Sequence, residues 1–289
     1  MPVTFVRPSD GETTLHSAQS TTGVLSWNTR AAEGSISLRL RFANGYRSAW
    51  LPYVKWSAHK RESLSPRDEE VTIQADRIVA TKPFVALEVR ASQRMDAFAL
   101  ATPPEDPPRP MHAPVPVELD VPTCSQYVDD ERGWCSPASV AMLLRFHGYD
   151  VDVATVARGV YDAGYRGTGN WAFNVAYAST FGLRSFVAYL RDLGHAYAFV
   201  SRGLPLALSY AWAAGELEGA PLERSTGHLA VLRGFDAVGD PIVNDPAHPR
   251  VRVTYRLAQF ERAWLAHGGI AYVIAPFRGP DPVALANQG

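Results

Sequence analysis

Seven prolines fall within residues 101–116, running from Pro103-Pro104 through Pro107-Pro108 and Pro110 to Pro114 and Pro116. Proline lacks a backbone N–H and fixes φ, so this run is neither helix nor central strand and reads as a stiff, extended linker. It divides 289 residues, enough for two ordinary domains, into regions with different patterns. The expected division is a domain at 1–102, a linker at 103–117, a second domain at 118–278 and a tail at 279–289.

Before the linker, residues 38–42, 71–75 and 84–90 alternate apolar and polar at period two. Asn44-Gly45 is a hairpin-turn pair. No helical periodicity intervenes, which predicts an all-β sandwich of antiparallel strands. Trp27, Trp50, Tyr53 and Trp56 fall here. Large aromatics dominate core burial, which favours packing between layers. The alternative is a face that stacks on sugar rings, giving the β-domain a glycan or cell-surface ligand.

After the linker the pattern changes to α+β, helices first and then a mostly antiparallel sheet. Cys135 opens one helix, with Pro137 suited to its first turn and His147-Gly148 as its stop. Asp152 and Asn170 cap two more, and Asp192 starts a short fourth. Strands are expected at 184–190, 204–210, 228–235, 241–244, 251–256 and 269–276, with a helix at 257–266. The Pro/Ala/Asn tail is expected to fray.

Hydrophobic residues make up 46% of the chain and charged residues 20%, as in a globular protein. A formal net charge of −1 without a Lys/Arg cluster gives no reason to expect nucleic acid or an acidic membrane as partner. No apolar run approaches the roughly 20 residues of a membrane span. No signal peptide is visible, so the expectation is a cytoplasmic protein, or a secreted one whose signal has been removed. Two cysteines and eight scattered histidines make neither a disulfide framework nor a metal site, and no cofactor is implied.

Cys135 itself admits two readings. A thiol at a helix start faces unpaired N–H groups and the positive end of the dipole, which favour thiolate. A small buried cysteine packing as a hydrophobe is the other. What separates them is a partner. His228 starts one expected strand and Asp245 ends the next. In an antiparallel pair these ends lie side by side, so base and orienting carboxylate can meet at one sheet edge. Gln126 lies nine residues before Cys135. Asn244 competes with Asp245 as orienter. Cys124 reads as a bystander thiol, and His147, His195, His248 and His267 as surface or structural residues. The acidic run Asp129-Asp130-Glu131 reads as a solvated loop, or as a lure for a basic substrate side chain.

Over about residues 118–277 the chain resembles the bacteriocin-processing (double-glycine leader) peptidase-like family of the papain superfamily. The likeness rests on Cys135-Ser136-Pro137-Ala138-Ser139, Gly167-Thr168-Gly169-Asn170-Trp171, Gly215-Glu216-Leu217, Thr226-Gly227-His228-Leu229 and Asn244-Asp245-Pro246-Ala247. It implies a papain-like second domain and a cysteine peptidase. Cys135 would be the nucleophile, His228 the base, Asp245 the orienter and Gln126 the oxyanion donor, acting on a peptide or peptide-like substrate. It also makes Asn170, Trp171, Trp134 and Glu216 candidates for substrate contact. Ser136-Pro137 stands where the family often has Gly-Pro. The interval from Gln126 to Cys135 exceeds that of papain, so residues 129–133 are expected to bulge. An acyltransferase or amidase acting on a cell-wall substrate would use the same triad, and a silent papain-fold binding protein would keep an unreactive thiol.

Overall fold

A computed structural model describes residues 1–8, 11–111, 114–128 and 133–288. The acidic run at 129–131 and most of the bulge expected around it lie outside the described residues. The first half holds β1 (Val3–Val6), β2 (Thr13–Asn28), β3 (Gly34–Phe42), β4 (Leu51–Trp56), β5 (Arg61–Ser63), β6 (Val71–Gln74), β7 (Arg77–Ala91) and β8 (Ala97–Ala101). The second holds β9 (Val117–Glu118), α1 (Cys135–Phe146), α2 (Val153–Val160), α3 (Trp171–Ser179), β10 (Arg184–Tyr189), α4 (Leu193–Val200), β11 (Leu206–Trp212), β12 (Ser225–Phe235), β13 (Pro241–Asn244), β14 (Arg252–Thr254), α5 (Leu257–Ala266), β15 (Ile270–Ala275) and α6 (Pro282–Ala286).

The N-terminal half is all β and antiparallel, but its strands join in one hydrogen-bonded sheet, β1-β8-β2-β7-β3-β4-β5 with β6 on β7. The expected antiparallel β-sandwich is met in part: all β and antiparallel, with its strands in one continuous sheet. The cause lies in β2 and β7, which are long enough to change partners. The start of β2 pairs with the end of β7, and residues 24–28 of β2 pair with β8. Register shifts between His16 and Thr22, with Gln19 at φ 62°, bend the ribbon there. Residues from both parts of the bent sheet, Leu25, Trp27, Phe98 and Leu100 with Leu38, Tyr53 and Leu87, enclose one core.

The four aromatics are committed to packing. Trp27 stacks on Trp56 at 5.9 Å, and Tyr53 is fully buried with its hydroxyl donating to the carbonyls of Leu25 and Asp76. The guanidinium groups of Arg39 and Arg90 lie over the Trp50 ring, at 4.6 and 4.0 Å from its centroid.

The second half builds α1–α3 and then the sheet β10-β15-β11-β12-β13-β14, with β9 on β12. Asp152, Asn170 and Asp192 cap α2, α3 and α4 through their side chains. The two halves are not beads on a spacer. Side chains of β2 satisfy the open edge of β10: Ser26 Oγ accepts from Val187 N at 3.0 Å, and Asn28 Nδ2 donates to Ser185 O at 2.6 Å. Ala172, Phe173 and Ala176 of α3 complete the N-terminal core. The linker is tied down as well, Arg109 N donating to the buried Asp192.

The tail corrects a second expectation. Asp281 caps α6 with Pro282 in its first turn, and Leu285 and Ala286 are buried. Asn287 then makes two hydrogen bonds to the Val3 backbone. The sequence holds this cap-and-proline start, which the composition obscured. No described helix is long and apolar enough to cross a membrane.

Candidate active site

Trp134 occupies the N-cap of α1 and makes no side-chain cap; its carbonyl accepts from Ala138 N at 3.0 Å. Cys135 is therefore the first helical residue, half-buried, where N–H groups lack intrahelical partners. Behind it, the Ser136 hydroxyl is 3.0 Å from that of Tyr272, which fixes the helix start against β15.

The opposite wall comes from the hairpin of β12 and β13. Val231 pairs with Asn244 and Leu232 with Val243. β12 begins at Ser225, three residues before the expected start, so His228 lies inside the strand. Asp245 directly follows β13. His228 Nε2 is 2.8 Å from Asp245 Oδ1, which also accepts from Ala247 N at 3.0 Å. This leaves His228 Nδ1 for the thiol of Cys135, and each of the two groups shifts the titration of the other. Asn244 is turned elsewhere. Its amide nitrogen donates to the carbonyls of Val121 and Pro122, and its oxygen accepts from Arg233.

The other oxygen of Asp245 accepts from two phenols, Tyr210 and Tyr255, at 2.8 Å each. Both tyrosines are buried, in strand or strand-edge runs that read as ordinary core, and nothing in their spacing marks them. The chemistry demands such donors, because a fully buried carboxylate is tolerated only when its lone pairs are occupied. Tyr210 and Trp212 also lie edge-on to the His228 ring, at 5.4 and 5.7 Å between centroids, and shield the His–Asp pair from water.

These contacts set the charges. Burial presses most strongly against ionised Asp245, but His228 and the two phenols outweigh it and hold the carboxyl below its usual range. Burial likewise disfavours imidazolium at His228, yet Asp245 and then Cys135 raise it to about 10. Burial pushes the Cys135 thiol up, while His228 and the backbone of Leu229 and Ser136 bring it net below an ordinary thiol. The balance favours a thiolate beside an imidazolium.

Gln126 is buried with its N–H on the Pro246 carbonyl at 2.9 Å, one residue beyond Asp245. Among the described residues its Oε1 has no hydrogen-bond partner. Asn170 is also buried and spends its amide on the α3 cap and on Asp162, leaving little for a substrate. Trp171 is half-buried and lies edge-on to His267 at 6.1 Å. Glu216 is exposed and closes a turn by accepting from Ala213 N, just beyond Trp212. Cys124 is buried beside Arg145, ten residues down α1 from Cys135; both cysteines are free, and burial raises the Cys124 thiol.

A thiol at a helix start, facing an imidazole on a following antiparallel sheet, belongs to a papain-like cysteine hydrolase. The Peptidase C39 like family matches residues 118–272, more than half of the chain, and the chain belongs to that family of cysteine peptidase-type hydrolases. Among solved structures it is similar to a protein from Bacillus anthracis described as a C39-like peptidase. That pair is 21% identical with a TM-score of 0.46, over 58% of this chain and 100% of the other. It is also similar to a double glycine motif protease from an AMS/PCAT transporter, solved with the leader peptide. There the identity is 20% and the TM-score 0.39, over 56% of this chain and 97% of the other. No curated protein matches the chain.

Proposed function

We propose that this protein hydrolyses a peptide bond through a Cys135–His228–Asp245 triad and an acyl-enzyme, the catalytic unit spanning 118–278. The observation that carries the reading is the buried 2.8 Å contact of His228 Nε2 with Asp245, which leaves Nδ1 available to Cys135. The thiolate of Cys135 attacks the carbonyl carbon, and the oxyanion is held by the Gln126 amide and the Cys135 backbone N–H. The imidazolium of His228 protonates the leaving amine. Neutral His228 then takes a proton from water, which attacks the thioester and releases the acid. Asp245 fixes the tautomer and stabilises the imidazolium.

The test is alkylation by iodoacetamide followed by peptide mapping. Cys135 should react well before Cys124, with a pH midpoint below the ordinary ~8.5 of a free thiol. Cys135→Ala should abolish peptide hydrolysis with the fold intact. Equal, slow labelling of both cysteines would point to a binding protein instead, and hydrolysis by Cys135→Ala at the parent rate would remove Cys135 from the mechanism.

A further inference from the structure

The tip of the β6–β7 hairpin reaches out of the N-terminal half. Gln74 pairs with Arg77, and Ala75, at φ 56°, turns the chain so that Asp76 faces the second half. Asp76 is buried, and its Oδ2 accepts the N–H of Trp171, the first residue of α3, at 2.5 Å. This N–H has no partner within its own helix, so the N-terminal half supplies one. The segment just before Trp171 is gripped by the same half. Ser63 N donates to Asp162 at 2.8 Å and Ala163 N to the Arg61 carbonyl at 2.9 Å. Gly164 lies so close that a Cβ there would meet the Ser63 carbonyl oxygen at 2.1 Å.

The segment held in this way touches both walls of the cleft. Thr168 Oγ1 is 3.5 Å from the carbonyl of Gly133, two residues before Cys135. Trp171 packs on His267, whose ring would lie 3.7 Å from a Cβ at Gly227, one residue before His228. The segment thus reaches the nucleophile side through Thr168 and the base side through Trp171, whose indole is half-buried.

We propose that the N-terminal half completes the substrate cleft, with Asp76 as a positioning residue that sets Trp171 as an apolar wall for a flat side chain of the bound peptide. The proposal rests on the cysteine peptidase reading and adds a role for the N-terminal half. Asp76 touches no reacting atom; it acts through the Trp171 backbone.

Two reagents separate the wall from the triad in the full chain. Iodoacetamide reports the reactivity of Cys135 without filling the cleft. A benzyloxycarbonyl-phenylalanyl-glycyl chloromethyl ketone alkylates the same thiol after binding there. Asp76→Ala should weaken the inhibition constant of the ketone by about tenfold, leaving its limiting rate and the iodoacetamide rate within a factor of about two. Asp76→Asn, which retains an acceptor for Trp171 N–H, should restore the parent constant. Trp171→Leu should reproduce the loss, and it decides the matter if Asp76→Ala does not fold. A parent-like constant in Trp171→Leu or in folded Asp76→Ala overturns the proposal. So does an equal fall in iodoacetamide reactivity, which would mean that Asp76 supports the triad or the fold as a whole. Failure of the peptidase reading shows separately, as absence of preferential Cys135 labelling in the parent protein.

Discussion

Asp245 is 0% exposed and Asp76 is 7% exposed, yet Asp245 stays below the usual carboxylate range while Asp76 is pushed up to about 7. Burial is the largest influence on both, and it acts upward on both. The difference lies in what each carboxylate faces. Asp245 meets an imidazole that can carry a full charge, and two phenolic O–H donors. Asp76 meets the Trp171 N–H and its own backbone, while the Asp162 carboxylate works against its ionisation and Arg77 weakly favours it. Neutral backbone donors leave a buried acid near neutrality; a cationic partner with two phenols keeps it ionised. One site is built to hold charge where chemistry needs it. The other joins two halves of the molecule.

The severest way to break this contrast is to take the acid from the first site. Asp245→Ala leaves His228 buried without its partner and frees its tautomer. Peptide hydrolysis should fall by about 10³–10⁴-fold. The fold should lose roughly 3–5 kcal/mol, the range for breaking a buried charge pair. Denaturant unfolding and steady-state rates measure the two effects, and near-parent values for both would remove Asp245 from the triad.

The phenols come next. Tyr210→Phe and Tyr255→Phe each delete one donor to Asp245 Oδ2 at nearly constant shape. Each should reduce stability by about 1–3 kcal/mol, because the acceptor remains buried and less satisfied. Asp245 should then titrate higher, as Asp76 does. If neither variant shifts the unfolding midpoint, the phenols contribute packing only.

The pH profile sharpens the same point. In the proposed mechanism, hydrolysis needs thiolate at Cys135 and a proton on His228. It should rise through a Cys135 value below that of a free thiol and fall again near 10, as His228 deprotonates. Alkylation needs only the thiolate and should not fall with it. In Asp245→Asn the strongest influence raising His228 is gone, so the alkaline limb should move down. An unmoved limb would mean that another group titrates there.

The candidate site residues were legible in the chain because their signals are local: a thiol before Ser136-Pro137, and His228 and Asp245 at the neighbouring ends of two short apolar runs. What escaped was set by contacts distant in sequence. Tyr210 and Tyr255 sit in runs that look like plain core, and their hydroxyls acquire meaning only from an acid 35 and 10 residues away. Asp76 reads as a hairpin-tip residue that would ordinarily face water, and its partner lies 95 residues on. The long strands were missed for a related reason. Gly23 in β2 and Thr81-Lys82-Pro83 in β7 interrupt the alternation, but Gly23 stays in register with Ile78 and the ladder passes 81–83 through a register shift. α6 is the opposite case, a local cap-and-proline signal passed over for composition.

The smallest expected effect belongs to Asp76, and its sign distinguishes the two carboxylates most clearly. An unfolded chain releases an aspartic proton near ~4. The folded chain holds the Asp76 proton up to about 7. Between these values the folded state carries the extra proton, so each rise in pH favours unfolding, and above 7 the full penalty persists. Asp76→Asn keeps an acceptor for the Trp171 N–H without a charge to desolvate. It should therefore stabilise the protein at pH 8, by about 1 kcal/mol or more, and give no gain at pH 4, where Asp76 is already protonated. Asp245→Asn should destabilise at pH 8, because there the charge is used. Thermal melts of both variants at the two pH values make the comparison. If Asp76→Asn lost stability at pH 8, the Asp76 carboxylate would be ionised and engaged like that of Asp245, and the contrast between the two sites would not hold.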